Sequence, residues 1–424
     1  MADPTGRGAV AAVWRIESAR IVGALARYTG DFAMAEDLAQ EAFAEALVNW
    51  PRDGVPTNPA GWLLTVGRRR AIDAFRRRSL RDEKYAVLAG GLGEGGAYSG
   101  GPPPDADDVL WEADQVDDDV LSLMFISCHP LLSREARVAL TLRVVGGLTS
   151  DEIAKACLVP TATVQARITR AKKTLGAAGV PFAAPTGPER AERLGSVLSS
   201  LYLIFTEGSS PTSGGEVIRV DLAGEALRLA RVLTRLVSDE AEVHGLLALL
   251  ELTAARFPAR TGPDGEPVLL EQQDRGRWDT AAIARGRAAL AKAGEVGRGL
   301  GAYGLQAAIA ECHAVAGSVE ETDWNRVVQL YAALGTLAPS PVVDLNRAVA
   351  VAMADGPAAA LAIVDDLAAG PLAKSHLLPT VRGELLARLD RAADARAEFD
   401  TAIARCDNER ERAVLTRKRD NLRA

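Results

Sequence analysis

The stretch LTSDEIAKACLVPTATVQARITRAKKTL, residues 148–175, reads as two short helices joined by a tight turn. Thr149 and Glu152 have capping-box spacing, so the Glu side chain can bond back to the cap. Ile153 and Ala154 face inward on the first helix. Cys157-Leu158-Val159-Pro160 forms the turn, because the residue before a proline is pushed out of the α region. Thr161 is placed to cap a second helix whose buried stripe is Val164, Ile168 and Leu175. Thr161, Thr163, Gln165, Arg167, Arg170, Lys172 and Lys173 are left for its other faces. Such a helix fits a DNA major groove, with polar N-terminal residues at base edges and later cations at phosphates. The competing reading is a helical hairpin with a solvated basic face.

Upstream, residues 62–78 read WLLTVGRRRAIDAFRRR, after an Asn58-Pro59 start in the preferred cap-then-proline order. From Arg68 to Arg78 six cations stand against one acid, Asp73, a balance of +5. Arg68, Arg69, Arg70, Arg76, Arg77 and Arg78 form two triplets about two helical turns apart. Trp62 beside this ridge suits unpaired bases, which stack on aromatics while arginines hold the backbone. A plain basic surface helix is the other reading. Before it, residues 31–50 read as a helix that buries Leu38, Ala42, Ala46 and Trp50. Glu36 and Gln40, and Asp37 and Glu41, are each four apart and make one acidic surface. It is either a solvated face or a dock for a basic partner.

Between these basic helices, residues 79–119 are rich in Gly and Pro, and two cations against eleven acids give −9. That composition is a flexible acidic linker. Further helices are expected over 120–130 and 133–145, leading through Gly146-Gly147 into the helix-turn-helix.

Composition limits the rest. The 424 residues suggest two to four domains. Hydrophobic residues are 48% but aromatics only 5%, which favours helices packed through small residues. With a net charge of −7, any nucleic-acid binding must come from local patches. Cys128, Cys157, Cys312 and Cys406 form no CxxC pair, so no disulfide framework, metal site or cofactor is indicated. Cys128-His129 reads as a buried thiol at a helix end. No apolar run is long enough to cross a bilayer, and residues 1–20 lack a signal peptide's core. A cytoplasmic protein follows.

In this order the pieces resemble a bacterial RNA polymerase sigma factor of the extracytoplasmic-function group. AEDLAQEAF (35–43) is similar to region 2.2, which in the family docks on the clamp helices of polymerase β′. The resemblance therefore implies core binding by Glu36, Asp37, Gln40 and Glu41. WLLTVGRRRAIDAFRRR resembles regions 2.3 and 2.4, which implies −10 contacts from Trp62 and the six arginines. Arg69 stands where many relatives have Asn, and Gly67 where Ala is common. Residues 148–175 resemble region 4.2, which implies −35 contacts from Thr161, Thr163, Gln165, Arg167, Arg170, Lys172 and Lys173. The implied partners are core polymerase, through its β′ clamp helices and β flap, and promoter DNA. No chemistry of its own is implied. A helix-turn-helix regulator that never serves as a sigma subunit is the alternative.

The remaining chain resembles the subgroup with a long helical extension ending in tetratricopeptide-like repeats. LYLIFTEG (201–208), VLLEQQDRGRWD (268–279) and LAPSPVVDLNRAVAVA (337–352) carry that likeness, with Thr206-Glu207-Gly208 where relatives often have Asn-Glu-Gly. Two segments repeat at an offset of 35: Ala348 with Gly383, Ala360 with Ala395, Val364 with Phe399, and Leu367 with Ala402. This is tetratricopeptide spacing. Such a surface offers a place for a protein partner. A tight turn is expected at 261–265, opening a short β-hairpin. Glu207, Glu271, Asp274, Arg275, Arg277 and Asp279 are a charged set near Trp278; structural ion pairing is the expectation for them, and a catalytic or ligand site is the other reading. The fold class is thus all-α. It comprises a region 2 domain (8–78), an acidic linker (79–119), a region 4 helix-turn-helix (120–179), a helical middle domain (188–285) and repeats (286–424).

Overall fold

A computed structural model describes residues 4–88, 113–157, 159–209, 219–262, 266–406 and 409–422. Most of the acidic linker, the middle of the 261–265 turn and the side chain of Arg78 lie outside them. Among the described residues every regular element is a helix, and the chain forms two compact units, Met1–Ser200 and Leu201–Ala424.

The first unit begins with α1 (Pro4–Thr29), α2 (Phe32–Asp53) and α3 (Pro59–Leu88). Gly30, at φ +67, ends α1, and Asp31 accepts from Met34 N at 3.0 Å to cap α2. Asn58 accepts from Gly61 N at 3.0 Å at the start of α3. Trp14, Ile21 and Leu25 of α1 are buried, as are Leu38, Ala42, Ala46 and Trp50 of α2 and Leu63, Leu64 and Ala71 of α3.

Next come α4 (Ala113–Ser127), α5 (Arg134–Val144), α6 (Ser150–Cys157) and α7 (Thr161–Ala177). The capping box forms as read: Glu152 N donates to Thr149 Oγ1 at 3.2 Å and Thr149 N to Glu152 Oε2 at 2.8 Å. Val164, Ile168 and Leu175 are buried, as the stripe requires. Thr161 is not the cap. Pro160 takes the extended cap conformation, and Thr161, already helical, donates its hydroxyl to Asp151 Oδ1 at 2.8 Å. Cys128 is a buried thiol 3.2 Å from Thr141 Oγ1, with burial pushing its pKa up.

Helix α8 (Gly187–Ser209) carries the chain across the boundary between units. Its first half belongs to the first unit: Ser196 Oγ donates to Cys128 O and accepts from Arg137 Nη1 at 2.8 Å.

The second unit contains α9 (Val220–Leu236), α10 (Ala241–Ala254), α11 (Thr280–Val296), α12 (Ala302–Val315) and α13 (Trp324–Leu337). The expected hairpin shrinks to one isolated antiparallel bridge, Thr261 with Pro267. A Cβ on Gly245 would sit 2.7 Å from Gly304 N, so α10 and α12 cross with their backbones touching. The repeats follow as α14 (Pro341–Ala354), α15 (Pro357–Leu367), α16 (Leu377–Arg388), α17 (Ala392–Arg405) and α18 (Glu409–Asp420). Ala348, Ala360, Val364, Ala395, Phe399 and Ala402 are all at most 1% exposed. A Cβ on Gly383 would press on the Phe399 ring at 3.2 Å, which is why the small position must be small. Replacing Phe399 by Ala should cost about 3–5 kcal/mol. Chemical denaturation checks this, and a loss under about 1 kcal/mol would mean that the ring does not hold α16 to α17.

Candidate functional site

In the first unit, two of the residue sets singled out by sequence meet. Glu36 of α2 is buried, its side chain 4% exposed, while Asp37 beside it is 66% exposed. Lys172 Nζ, from α7, donates to Glu36 Oε2 at 2.7 Å and to Asp37 Oδ1 at 2.5 Å. Arg143 Nε, from α5, donates to the other oxygen of Glu36 at 3.3 Å, and its Nη1 to Leu148 O at 3.2 Å. One buried carboxylate therefore holds a cation on each oxygen. Burial alone would push the Lys172 ammonium down, but Glu36 and Asp37 outweigh it and hold its pKa above the ordinary value.

Further contacts bind the same elements. Arg15 of α1 pairs with Glu152 of α6 at 2.7 Å, both half-exposed and so worth little alone. Arg27 pairs with buried Asp119 at 3.3 Å; burial raises the Asp119 carboxyl above its usual range, opposed by Arg27. Gly147, at φ +69, lies on α1, where a Cβ would come within 2.5 Å of Ser18 Oγ and 3.2 Å of Arg15 Cα. A side chain there would lift the loop off the helix.

The remaining acidic residues divide. Glu41 accepts from Arg70 Nη1 at 2.7 Å, and Glu45, not singled out by sequence, accepts from Nη2 at 2.8 Å. These bonds, Glu45 first, hold the guanidinium above its ordinary pKa. Gln40 is half-buried. Among the arginines, Arg68 is half-buried with its guanidinium 5.5 Å from the Tyr28 ring centre, and burial lowers its pKa. Arg69, Arg76 and Arg77 are exposed. Trp62 packs edge-on against Trp50 with ring centres 5.5 Å apart. So Arg68 and Arg70 pack within the helical unit, and three arginines face solvent.

On α7, Gln165, Arg170 and Lys173 are exposed, Thr161, Thr163 and Arg167 half-buried, and Lys172 turns back to α2. Arg167, Arg170 and Thr174 line a cavity of about 500 Å³ with Leu131, Leu132 and Ser133. Arg143 was missed by sequence reading. The signal was there: it is the one charge in the run VALTLRVV.

In the second unit the charged set shows the expected structural ion pairing in part, with Asp279 4.0 Å from Arg285. Glu207 pairs with Arg219 at 2.8 Å, Asp279 caps α11 through Ala282 N at 3.0 Å, and Asp274 accepts from Gly276 N at 2.9 Å. Arg275 instead donates to the carbonyls of His313 and Ala316. Among the described residues, His376, Cys406 and Glu411 bring three ligand-type atoms within 4.8 Å, a grouping that their sequence spacing hides. No helix among the described residues is long and apolar enough to cross a membrane.

Comparison with known proteins adds a second line. Residues 15–81 match Sigma-70 region 2, residues 122–175 match Sigma-70 region 4, and residues 193–294 match a family of unknown function (DUF6596). Uncharacterized protein R00370 of Rhizobium meliloti is 44% identical over 413 residues, 95% of this chain and 93% of the relative. The probable ECF RNA polymerase sigma factor SigI of Mycobacterium tuberculosis is 32% identical over 145 residues, 34% of this chain and 47% of that one. Among solved structures, a tetratricopeptide repeat protein from Parabacteroides merdae is similar at TM-score 0.34 and 14% identity, covering 64% of this chain and 99% of its own.

Replacing Glu36 by Gln should cost about 3 kcal/mol, because it leaves two partly buried cations short of their counterion. Adding Lys172→Met to that variant should cost much less than Lys172→Met alone. Strictly additive losses in chemical denaturation would rule out the coupling.

Proposed function

We propose a function from one premise: the chain belongs to the extracytoplasmic-function group of the sigma-70 family, in the subgroup with a helical C-terminal extension. It directs core RNA polymerase to promoters with −10 and −35 elements and starts transcription there. The observation that carries this reading is the ordered match of region 2 at residues 15–81 and region 4 at residues 122–175. The chain contributes no bond-making step; it positions DNA for the polymerase, in the cytoplasm where both reside.

In this reading Glu36, Asp37, Gln40 and Glu41 dock on the β′ clamp helices. Trp62 and the exposed Arg69, Arg76 and Arg77, with Arg78, hold −10 DNA, while Arg68 and Arg70 set the shape of the helix that carries them. At −35, Thr161, Thr163 and Gln165 at the start of α7 read bases, and Arg167, Arg170, Lys172 and Lys173 neutralise phosphates. Phosphate contacts set register and affinity, and base contacts set sequence.

Glu36 and Lys172 serve different partners in this scheme, yet they pair with each other. The closed first unit therefore withholds a core contact and a −35 contact together, and polymerase must part them. The C-terminal extension regulates that step in cis, with its repeats open to a protein partner.

Run-off transcription with sigma-free core and a promoter library tests the premise, with initiation at discrete −10/−35 sites expected. Reversing charge with Asp37→Lys and Glu41→Lys should weaken holoenzyme assembly about ten-fold or more. Assembly unchanged in a folded protein would refute the docking assignment. Ending the chain at Ser209 keeps α8 and its contacts to Cys128. That truncation should change run-off yield while core binding persists, and identical yield would sink regulation in cis.

A further inference from the structure

The segment Val268–Asp279, which the promoter reading does not use, builds a different kind of site in the second unit. Trp278 is 4% exposed and carries a guanidinium near each of two positions: Arg275 at 4.7 Å and Arg256 at 5.5 Å from the ring centre. Among the described residues, neither Arg256 nor Arg275 has a carboxylate within 4.0 Å. Arg256 Nε donates to Gln273 Oε1 at 3.3 Å, and Gln273 Nε2 to Val268 O at 3.0 Å, which fixes the amide. Arg275 Nη1 donates to Ala316 O at 2.8 Å and to His313 O. The His313 ring sits edge-on against Trp324 at 5.2 Å.

Three polar atoms in this cluster are buried without a hydrogen-bond partner: Arg275 Nη2, Trp278 Nε1 and His313 Nδ1. Buried donors left unmatched are rare in native proteins, and several at one place point to a missing acceptor. Arg256, largely shielded from solvent and without a carboxylate partner among the described residues, points the same way. The surrounding charges agree. Burial, then Arg260 and Arg275, brings Arg256 down to about 10. Burial, then Arg256 and Arg275, brings His313 down to about 4. The acids facing the cluster act on its edges: Glu320 and Glu321 on Arg275, and Glu411 on Arg260.

We infer that Arg256, Arg275, Trp278 and His313 form a binding site for a small oxyanion, a phosphate or carboxylate group. Its oxygens take hydrogen bonds from Arg275 Nη2, Trp278 Nε1 and His313 Nδ1–H, with Arg256 as the second cation. Charge-assisted bonds to guanidinium suit either group. Arg256, Arg275 and Trp278 lie within residues 193–294, the part that matches the family of unknown function, and the proposal does not depend on the sigma reading.

The test uses the full chain with inorganic phosphate and with malonate, against chloride at equal ionic strength. The anion favours protonated imidazole, so the titration midpoint of His313, followed by NMR of 15N-histidine protein, should rise from about 4. A rise with phosphate alone marks a phosphoryl ligand, one with malonate alone a carboxylate, and no rise with either overturns the site. Arg256→Met should bind the effective anion about ten-fold or more weakly, since one charged partner is lost. It should melt no lower than the parent in chloride, because it removes an unpaired charge. Phosphate stabilises proteins generally by exclusion, so only stabilisation that the variant loses counts. Equal loss of stability in chloride and in phosphate would make Arg256 structural and overturn the proposal.

Discussion

A carboxylate shut between two cations governs the first unit. Glu36 is almost closed off from bulk water, so its charge is tolerable only while Arg143 and Lys172 stay on its two oxygens. That requirement ties α5 and α7 to α2 across more than a hundred residues of chain. A buried ion pair adds little net stability over an apolar contact of the same size. Its effect is on arrangement: the face of α7 that bears Lys172 is turned to α2, where it neutralises Glu36. Gly147 acts alongside it by letting the loop between α5 and α6 lie against α1 without a side chain intervening.

Local signals were legible in the sequence and distant ones were not. The capping box at Thr149 and Glu152, the stripe on α7 and the Asn58-Pro59 start depend on neighbours three or four residues apart, and each forms. Thr161 was misplaced by one position because Pro160, with its fixed φ, itself takes the cap conformation. Glu36 was harder. On a helical wheel it groups with Gln40 as a polar face, and nothing local says that a lysine 136 residues later covers it. The arginine ridge behaved likewise: spacing shows six cations on one helix, but only the fold separates Arg68 and Arg70, spent on Tyr28, Glu41 and Glu45, from the three exposed ones.

The second unit repeats the lesson with small residues in place of charges. The 35-residue offset found positions that, half-buried Leu367 aside, are all buried, and Gly383 lies beneath Phe399. Gly245 against Gly304 is the same device without a repeat to announce it. The charged set near Trp278, four acids and two arginines, does not pair within itself among the described residues. The acids instead satisfy helix-start amides, as Asp274 and Asp279 do, because those N–H groups have no partner within the helix. The arginines are left to carbonyls and to the tryptophan face. Counting charges cannot distinguish the two outcomes.

The pairing in the first unit also bears on how such a protein meets DNA. With a net charge of −7, the chain as a whole is repelled by a polyanion at long range. Its attraction must come from cations that carboxylates do not already occupy. Lys172 is occupied twice, by Glu36 and Asp37, while Arg170 and Lys173 beside it are exposed. In the proposed reading, DNA phosphates compete with two carboxylates for one ammonium, while among the described residues no carboxylate pairs with Arg170 or Lys173. Salt weights that competition unevenly. It weakens contacts to DNA through counterion uptake, one increment for each phosphate neutralised. It screens a buried pair far less. On that reading, rising ionic strength favours the closed unit over DNA at Lys172, and a basic docking surface that replaced its contacts on Glu36 would release it.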